Sequence, residues 1–135
     1  MKSYNLELIT PGKVVYKDQV ESVIMPGYDG ELGILADHEP GVIQLKPGIV
    51  SIRKKDKVLK YIILSGYAQI SKAYLGIYVE SAEKPEDINI NESKAKVDLA
   101  KSVLDRKDAK EEELISAKLT IEKELAKIKA LGKIT

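Results

Sequence analysis

The chain has 135 residues, which is enough for one domain or for one compact domain with an appendage. Its 22 basic and 21 acidic residues leave a formal net charge of +1, without the basic excess that nucleic-acid binding requires. The absence of cysteine excludes disulfides, cysteine-based zinc sites and a thiol nucleophile.

Residues 1–87 have the alternating apolar pattern of an all-β sandwich or barrel. The first run, Tyr4, Leu6 and Leu8, alternates with polar residues and ends at Thr10-Pro11-Gly12. Later runs are likewise separated by turn residues, and Lys54–Lys57 has the composition of a hairpin tip. We predict about nine or ten strands in two sheets. The later runs are Val20–Met25, Gly30–Leu35, Val42–Leu45, Ile49–Ile52, Val58–Leu64, Tyr67–Ile70 and Leu75–Val79.

Residues 88–135 differ in both composition and period. They contain no proline and one glycine, and Ala, Lys, Glu, Leu and Ile dominate. Apolar residues now recur at spacings of three and four, which predicts two amphipathic helices. The short link between the helices predicts an antiparallel hairpin. The chain is therefore expected to consist of a β-sandwich domain, 1–87, and a helical hairpin domain, 88–135.

Capping signals suggest where the helices start and stop. Asn89 with Glu92, and Asp108 with Glu111, each have the spacing of a capping box before an apolar-periodic segment. We expect the first helix to end near residue 106 and the second near residue 131. Gly132 is then placed to supply a left-handed C-terminal cap.

The two predicted helices carry more apolar surface than they can bury between them. One stripe on each helix is expected to pack against its partner, and a second set lies further round each helix. A two-helix hairpin cannot bury both faces, so the second must meet the sandwich, another chain or water. This suggests a hairpin that can change its docking surface. The first set is Val97, Ala100, Leu104, Leu114, Ala117, Ile121, Leu125 and Ile128, and the second is Leu99, Val103, Ile115, Leu119, Ala126 and Ala130.

No catalytic constellation is apparent in the sequence. The single histidine, His38, lies between Asp37 and Glu39, and three consecutive residues of an extended segment cannot converge on one ion. The glycine-rich segment 27–33 lacks the Lys-Ser/Thr ending and the following helix of a phosphate-binding loop. No apolar run approaches the ~20 residues of a membrane-spanning helix. These features favour a non-enzymatic interaction protein that reaches a membrane only through its partners.

Several motifs in order along the chain give it a family resemblance. The run Gly30-Glu31-Leu32-Gly33-Ile34-Leu35 and the following Ala36-Asp37-His38-Glu39-Pro40 resemble the epsilon subunit of F-type ATP synthases, whose members carry Gly-Glu-Leu/Phe-Gly-Ile-Leu and then Pro-Gly-His-x-Pro. Further matches are Thr10-Pro11-Gly12, Leu45-Lys46-Pro47-Gly48 and Leu64-Ser65-Gly66-Tyr67.

The resemblance implies a fold and a role. The family combines a ten-stranded β-sandwich with a two-helix hairpin and belongs to the central stalk of the bacterial enzyme. The sandwich is expected to bind the gamma subunit and the ring of c subunits, coupling ion flow to rotation. The hairpin is expected to extend into the catalytic head of alpha and beta subunits and inhibit ATP hydrolysis, or to fold down. By the same resemblance, the chain is a peripheral subunit at the cytoplasmic face of the bacterial cell membrane, without a catalytic residue or obligatory cofactor.

The resemblance also points to individual residues. Glu31 and His38 correspond to the loop region that faces the rotor ring, although Ala36-Asp37 replaces the usual Pro-Gly and leaves the loop shape open.

An alternative role is nucleotide sensing. Some bacterial members bind ATP on the folded-down hairpin through an Ile-Asp-x-x-Arg-Ala motif. Here Asn91 and Lys94 replace its Asp and Arg, and Lys123 and Lys127 stand where those members tend to have Arg. Lysine lacks the planar fork with which arginine binds phosphate. These four residues are candidates for ATP binding or, alternatively, solvated helix residues.

Overall fold

The computed structural model describes residues 2–134 and divides the chain into two compact units. The first ends at Pro85 and the second begins at Glu86, two residues before the boundary expected from the sequence. The first unit contains ten strands and the second contains two helices. The predicted fold class, a β-sandwich followed by two helices, is confirmed.

All ten strands are short, and turns connect most of them. A single turn of 3-10 helix, Pro85–Asp87, follows the last strand. The strands are β1 Tyr4–Thr10, β2 Lys13–Val20, β3 Ser22–Gly27, β4 Gly30–Ile34, β5 Gly41–Leu45, β6 Gly48–Lys54, β7 Lys57–Ile63, β8 Gly66–Ser71, β9 Tyr74–Val79 and β10 Ala82–Glu83.

The strands form two layers within one continuous hydrogen-bonded sheet. One layer has the order β10-β7-β6-β3, with β4 on the other side of β3, and the second has the order β5-β8-β9-β1-β2. A single residue pair, Gly27 with Leu45, joins β3 to β5 and connects the layers. A Cβ on Gly27 would lie 2.8 Å from the Gly30 carbonyl oxygen, so the corner of the sheet requires glycine.

The core lies between the layers and is mainly aliphatic. Alternate residues of each strand point inward, so both layers contribute side chains that exclude water. The largest fully buried side chains are Leu6, Leu8, Val20, Val23, Met25, Ile34, Leu45, Val50, Ile52, Ile63, Leu75 and Ile77.

Side chains close the open side of the sandwich. The rings of Tyr16 on β2 and Tyr61 on β7 are 6.2 Å apart at an interplanar angle of 59°. Beside them the Lys54 ammonium forms an ion pair with the Asp18 carboxylate, and this bond lowers the pKa of Asp18. Side chains therefore link β2, at one end of the sheet order, to β6 and β7, with which it has no backbone pairing.

The strand pattern differs from the prediction around β2 and β3, and β10 was not among the predicted runs. The predicted run Val20–Met25 is divided at Glu21 between β2 and β3, and most of β2 was not predicted as a separate strand. Pro26 was expected to end β3 but lies inside it. Its carbonyl oxygen accepts a hydrogen bond from the Lys46 amide at 3.0 Å. Proline has no backbone N–H to donate, and none is needed at this bend.

In the second unit the first helix, α1, spans Ile90–Leu104 and begins as predicted. The side chain of Asn89 accepts hydrogen bonds from the amides of Asn91 at 3.0 Å and Glu92 at 3.2 Å. These bonds satisfy two of the unpaired amides of the first turn. The helix ends two residues earlier than expected, and Asp105 is its C-cap.

The second helix, α2, spans Glu111–Ile134 and begins later than predicted. Asp108 was expected to be the N-cap, but it lies in the preceding turn. The residue before the helix is Lys110, whose amide donates to the Glu113 carboxylate at 3.2 Å. This is one half of a capping box, with the glutamate at the third helical position. Arg106 also binds the Glu113 carboxylate and so fixes the link between the helices.

The prediction for Gly132 is wrong. The helix continues through it to Ile134, and its φ lies outside the left-handed region. A glycine inside a helix costs about 0.5–1 kcal/mol relative to alanine, a cost that the helix tolerates here.

The apolar faces of the helices are largely as expected. Val97, Ala100 and Ala117 of the first set are buried. Leu99, Ile115 and Leu119 of the second set remain exposed, with Leu99 at 70%. One assignment is wrong, because Leu125 of the first set is 47% exposed. Ala130 of the second set is buried. Leu125 lies at the edge of its stripe, where a small difference in helix rotation decides burial.

Candidate functional site

Glu31 lies on β4 with its side chain exposed. The strand pairs with β3, and Glu31 is opposite Pro26. Leu32 and Ile34 point to the core side, so Glu31 and Gly33 point to the outer side. A carboxylate at this position is available to a partner protein.

His38 lies in the exposed loop after β4. Its amide donates to the Leu35 carbonyl oxygen at 3.1 Å, which closes a turn, and its Nδ1 lies 2.9 Å from the Glu39 carbonyl oxygen. The Tyr4 hydroxyl donates to the Ile34 carbonyl oxygen at 2.6 Å and anchors the strand end from which the loop leaves. Burial raises the pKa of Tyr4, so the hydroxyl remains a donor.

Glu31 and His38 lie near opposite ends of β4. Glu31 is next to the β3–β4 turn, whereas the His38 loop follows the opposite end of β4. They do not converge on a shared chemical centre. Among residues 2–134, no cluster of three or more His, Cys, Asp or Glu could hold a metal ion.

The candidate ATP residues on α1 are exposed. Asn91 and Lys94 lie in the first turns of the helix, and the Asn91 amide is already bound to Asn89. Ser93, between them, is buried. The helix N-terminus therefore uses two of its amides for its own cap.

The candidate ATP residues on α2 are less accessible. Lys123 and Lys127 are half-buried, one turn apart on one face. The Lys127 ammonium lies 3.5 Å from the carboxylate of Glu124, which is itself buried. A buried acid at this distance offsets the positive charge that a triphosphate would need.

An open groove runs between α1 and α2 with a volume of about 440 Å³. Its floor is made of small and aliphatic side chains, its α2 edge carries hydroxyls, and charged side chains stand at its rim. The groove includes the exposed side chain of Leu99. The lining residues are Lys96, Leu99, Ala100, Val103, Glu112, Glu113, Ser116, Ala117 and Thr120.

Comparison with known proteins identifies the family. Residues 3–85 match the model of the ATP synthase delta/epsilon chain β-sandwich domain. The ATP synthase epsilon chain of Desulforamulus reducens is 31% identical over 129 residues, covering 96% of this chain and 97% of the relative. The chain belongs to the ATP synthase epsilon-chain family. The chloroplastic epsilon chain of Pisum sativum is 30% identical, covering 96% of this chain and 93% of the relative.

A solved structure shares the fold of this epsilon chain. It is a chain of the Euglena gracilis mitochondrial ATP synthase, determined as an OSCP/F1/c-ring assembly, with a TM-score of 0.70 and 24% identity. The match covers 89% of this chain and 76% of the other. Neither described helix of this epsilon chain combines the length and the apolar composition of a membrane span.

These findings confirm the predicted family and the prediction of a non-catalytic subunit of ATP synthase. Sequence reasoning missed the buried polar residues of the hairpin, Ser93 and Glu124. Ser93 lies four residues before the buried Val97, and Glu124 lies seven residues, or two helical turns, after the buried Ala117. Placing them on the helical wheel would therefore have indicated burial.

Proposed function

We propose that this epsilon chain is a central-stalk subunit that couples ion-driven rotation to ATP synthesis and inhibits ATP hydrolysis through its helical hairpin. The sandwich, 1–87, contacts the gamma subunit and the c-ring, and the hairpin, 88–135, reaches the alpha/beta catalytic head. The chain is held peripherally at the cytoplasmic face of a bacterial cell membrane through these partners.

One observation carries the inhibitory part of this proposal. Leu99, Ile115 and Leu119 are exposed aliphatic side chains on a hairpin that already has its own buried contacts. Exposed aliphatic surface of this kind is characteristic of a partner-binding element. A ligand or partner that binds one position of a two-position element shifts its population in proportion to the difference in affinity.

The sandwich contact is supported by the exposure of Glu31 and His38. Both side chains are accessible, and the Tyr4 hydroxyl holds the end of β4 from which the loop carrying His38 leaves. A preordered loop loses less conformational entropy when it binds than a mobile one. We assign Glu31 and His38 to the contact with the rotor ring.

Reconstitution with the other subunits of the catalytic sector tests the proposal. ATP hydrolysis would be measured with no epsilon chain, with the full chain and with a chain ending at Asp87. We expect the full chain to lower hydrolysis and the shortened chain to bind without lowering it. Equal hydrolysis with both chains would contradict the inhibitory role.

Substitutions in the full-length chain provide a finer test. Leu99→Gln together with Leu119→Gln removes exposed aliphatic surface and should relieve inhibition. Lys101→Gln together with Lys118→Gln alters exposed neighbours on the same helices and is the matched control. If only the control pair relieved inhibition, the charge of the helices and not their apolar contact would cause the inhibition.

A further inference from the structure

The turn between β3 and β4 is exposed and consists of two residues. Gly27 and Gly30 form the last backbone pair of the hairpin, so Tyr28 and Asp29 make the turn. The Asp29 side chain is exposed, and exposed side chains change rotamer within nanoseconds. Its carboxyl carbon can therefore approach the backbone nitrogen of the next residue, Gly30.

Gly30 leaves its backbone nitrogen accessible to this carboxyl group. The residue has a φ of 129°, a conformation that residues with a side chain rarely adopt, and a glycine peptide rotates more freely than any other. A Cβ at Gly30 would meet no atom within 4 Å, so the space beside the bond is open. Nothing on the glycine itself hinders the approach of the carboxyl group.

The turn between β6 and β7 provides an internal comparison. Lys54 pairs with Lys57, so this turn also has two residues. Its second residue is the exposed Asp56, which occupies the same place as Asp29 in the other turn. The residue after Asp56 is a lysine, whose side chain hinders the approach that glycine allows. The chain therefore contains a reactive turn and a matched unreactive one.

We propose that Asp29–Gly30 is a site of spontaneous isoaspartate formation. The Gly30 nitrogen attacks Cγ of Asp29, and a C–N bond forms. The nitrogen gives up its proton and the carboxyl group its hydroxyl, which leave together as water. A second water then attacks the main-chain carbonyl carbon of the cyclic imide and breaks its bond to the nitrogen. The peptide now runs through Cγ, the α-carboxyl group is free, and no other reactant is consumed.

The product changes the tip of the hairpin. Isoaspartate lengthens the main chain of the turn by one atom, Cβ, so the turn no longer matches the two strands that it joins. Glu31, the next residue of β4, is opposite Pro26 and takes its position from this pairing. The modified chain should therefore bind the complex more weakly. This consequence rests on the proposed contact of Glu31 with the rotor ring, whereas the modification itself does not.

Ageing of the full-length chain in neutral buffer tests the proposal. A protease that cuts before aspartate does not cut before isoaspartate, so the uncut fraction at each position measures the modification. We expect isoaspartate at Asp29 to accumulate at least about tenfold faster than at Asp56, a difference of about 1.4 kcal/mol in the barrier. Equal rates at the two aspartates, or no product at Asp29, would overturn the proposal.

A change of the following residue separates its effect from that of the turn. Lys57→Gly places a glycine after Asp56 and should raise the rate of isoaspartate formation there about tenfold. The rate at Asp29 in the same variant should stay that of the wild type. An unchanged rate at Asp56 would show that the following glycine does not control the reaction, and would also overturn the proposal.

Binding of aged chains to the complex prepared without this subunit tests the consequence. The aged wild type should lose a bound fraction equal to its isoaspartate content. The equally aged Asp29→Glu should lose none, because its longer side chain keeps the charge but forms the cyclic imide far more slowly. Equal binding of aged and fresh wild type would overturn the expected weakening. Failure of the fresh wild type to bind would contradict the proposed function and not the modification.

Discussion

The buried carboxylate of Glu124 lies 3.5 Å from the Lys127 ammonium, three residues further along α2. Each charge is partly removed from water, so each depends on its neighbours for compensation. We predict that Glu124→Ala destabilises the hairpin by about 1–3 kcal/mol, because it leaves a half-buried ammonium without this carboxylate. Helix melting followed by circular dichroism measures the loss.

The matched control for this pair is Glu122→Ala, which removes an exposed carboxylate from the same helix. It should change stability by less than about 0.5 kcal/mol. Combining Glu124→Ala with Lys127→Ala should restore part of the loss, since the ammonium that has lost this carboxylate is then absent. Additive effects of the two substitutions would show that the pair is not coupled.

The same pair leads to a prediction about nucleotide. We expect millimolar ATP to leave the melting temperature unchanged, because Glu124 offsets the charge of Lys127 and the motif positions hold Asn91 and Lys94. A ligand at 100 times its Kd would stabilise the fold by about 2.7 kcal/mol, which a thermal-shift assay detects. A clear upward shift that Lys94→Ala removes would instead establish nucleotide sensing.

The two-layer sheet and the helical pair follow from periodicity alone, because alternation and three-and-four spacing are set by local geometry. The junction at Gly27 and Leu45 does not follow, since it joins strands by a single pair that no local pattern encodes. For the candidate sites, the sequence identified exposed positions such as Glu31 and His38. It did not reveal the Glu124–Lys127 pair or the stacking of Tyr67 on Tyr78, because both depend on side-chain packing.

Gly66, in the Leu64–Tyr67 motif, has a measurable structural requirement. A Cβ there would lie 2.1 Å from the Tyr78 carbonyl oxygen and 2.7 Å from the Val79 Cα, both backbone atoms of the neighbouring strand. We predict that Gly66→Ala destabilises the sandwich by about 3 kcal/mol, measured by urea unfolding. Gly33→Ala is the control, because nothing lies within 4 Å of its Cβ and its φ is not positive. Equal losses of stability in Gly66→Ala and Gly33→Ala would mean that β8 and β9 can move apart at Gly66 without cost.

Glu113 gives the hairpin a pH dependence. The Lys110 amide and, next, the Arg106 guanidinium bind its carboxylate and hold its pKa below the ordinary value of 4.5. A lowered pKa stabilises the fold above pH 4.5, and the stabilisation is lost as the pH falls through the lower, folded-state pKa. The melting temperature of the wild type should therefore exceed that of Glu113→Gln at pH 7 and approach it in acid.

Glu112→Gln controls for the general effect of removing a charge from the first turn of α2. This substitution neutralises an exposed neighbouring carboxylate that interacts with the same helix dipole. Its difference from the wild type at pH 7 should be smaller than that of Glu113→Gln. A difference for Glu113→Gln that persists unchanged at pH 2 would show that shape, and not ionisation, causes the effect.

The change in stability caused by Gly132→Ala has opposite signs for a helical residue and for the left-handed cap expected from the sequence. If the residue is helical, as the structure has it, Gly132→Ala should stabilise α2 by about 0.5 kcal/mol, because alanine loses less backbone entropy in a helix. If it were a left-handed cap, alanine would be strained there and the helix would be destabilised. Nothing lies within 4 Å of the added Cβ, so no steric clash obscures the result. A lower helix melting temperature in Gly132→Ala would contradict the helical assignment.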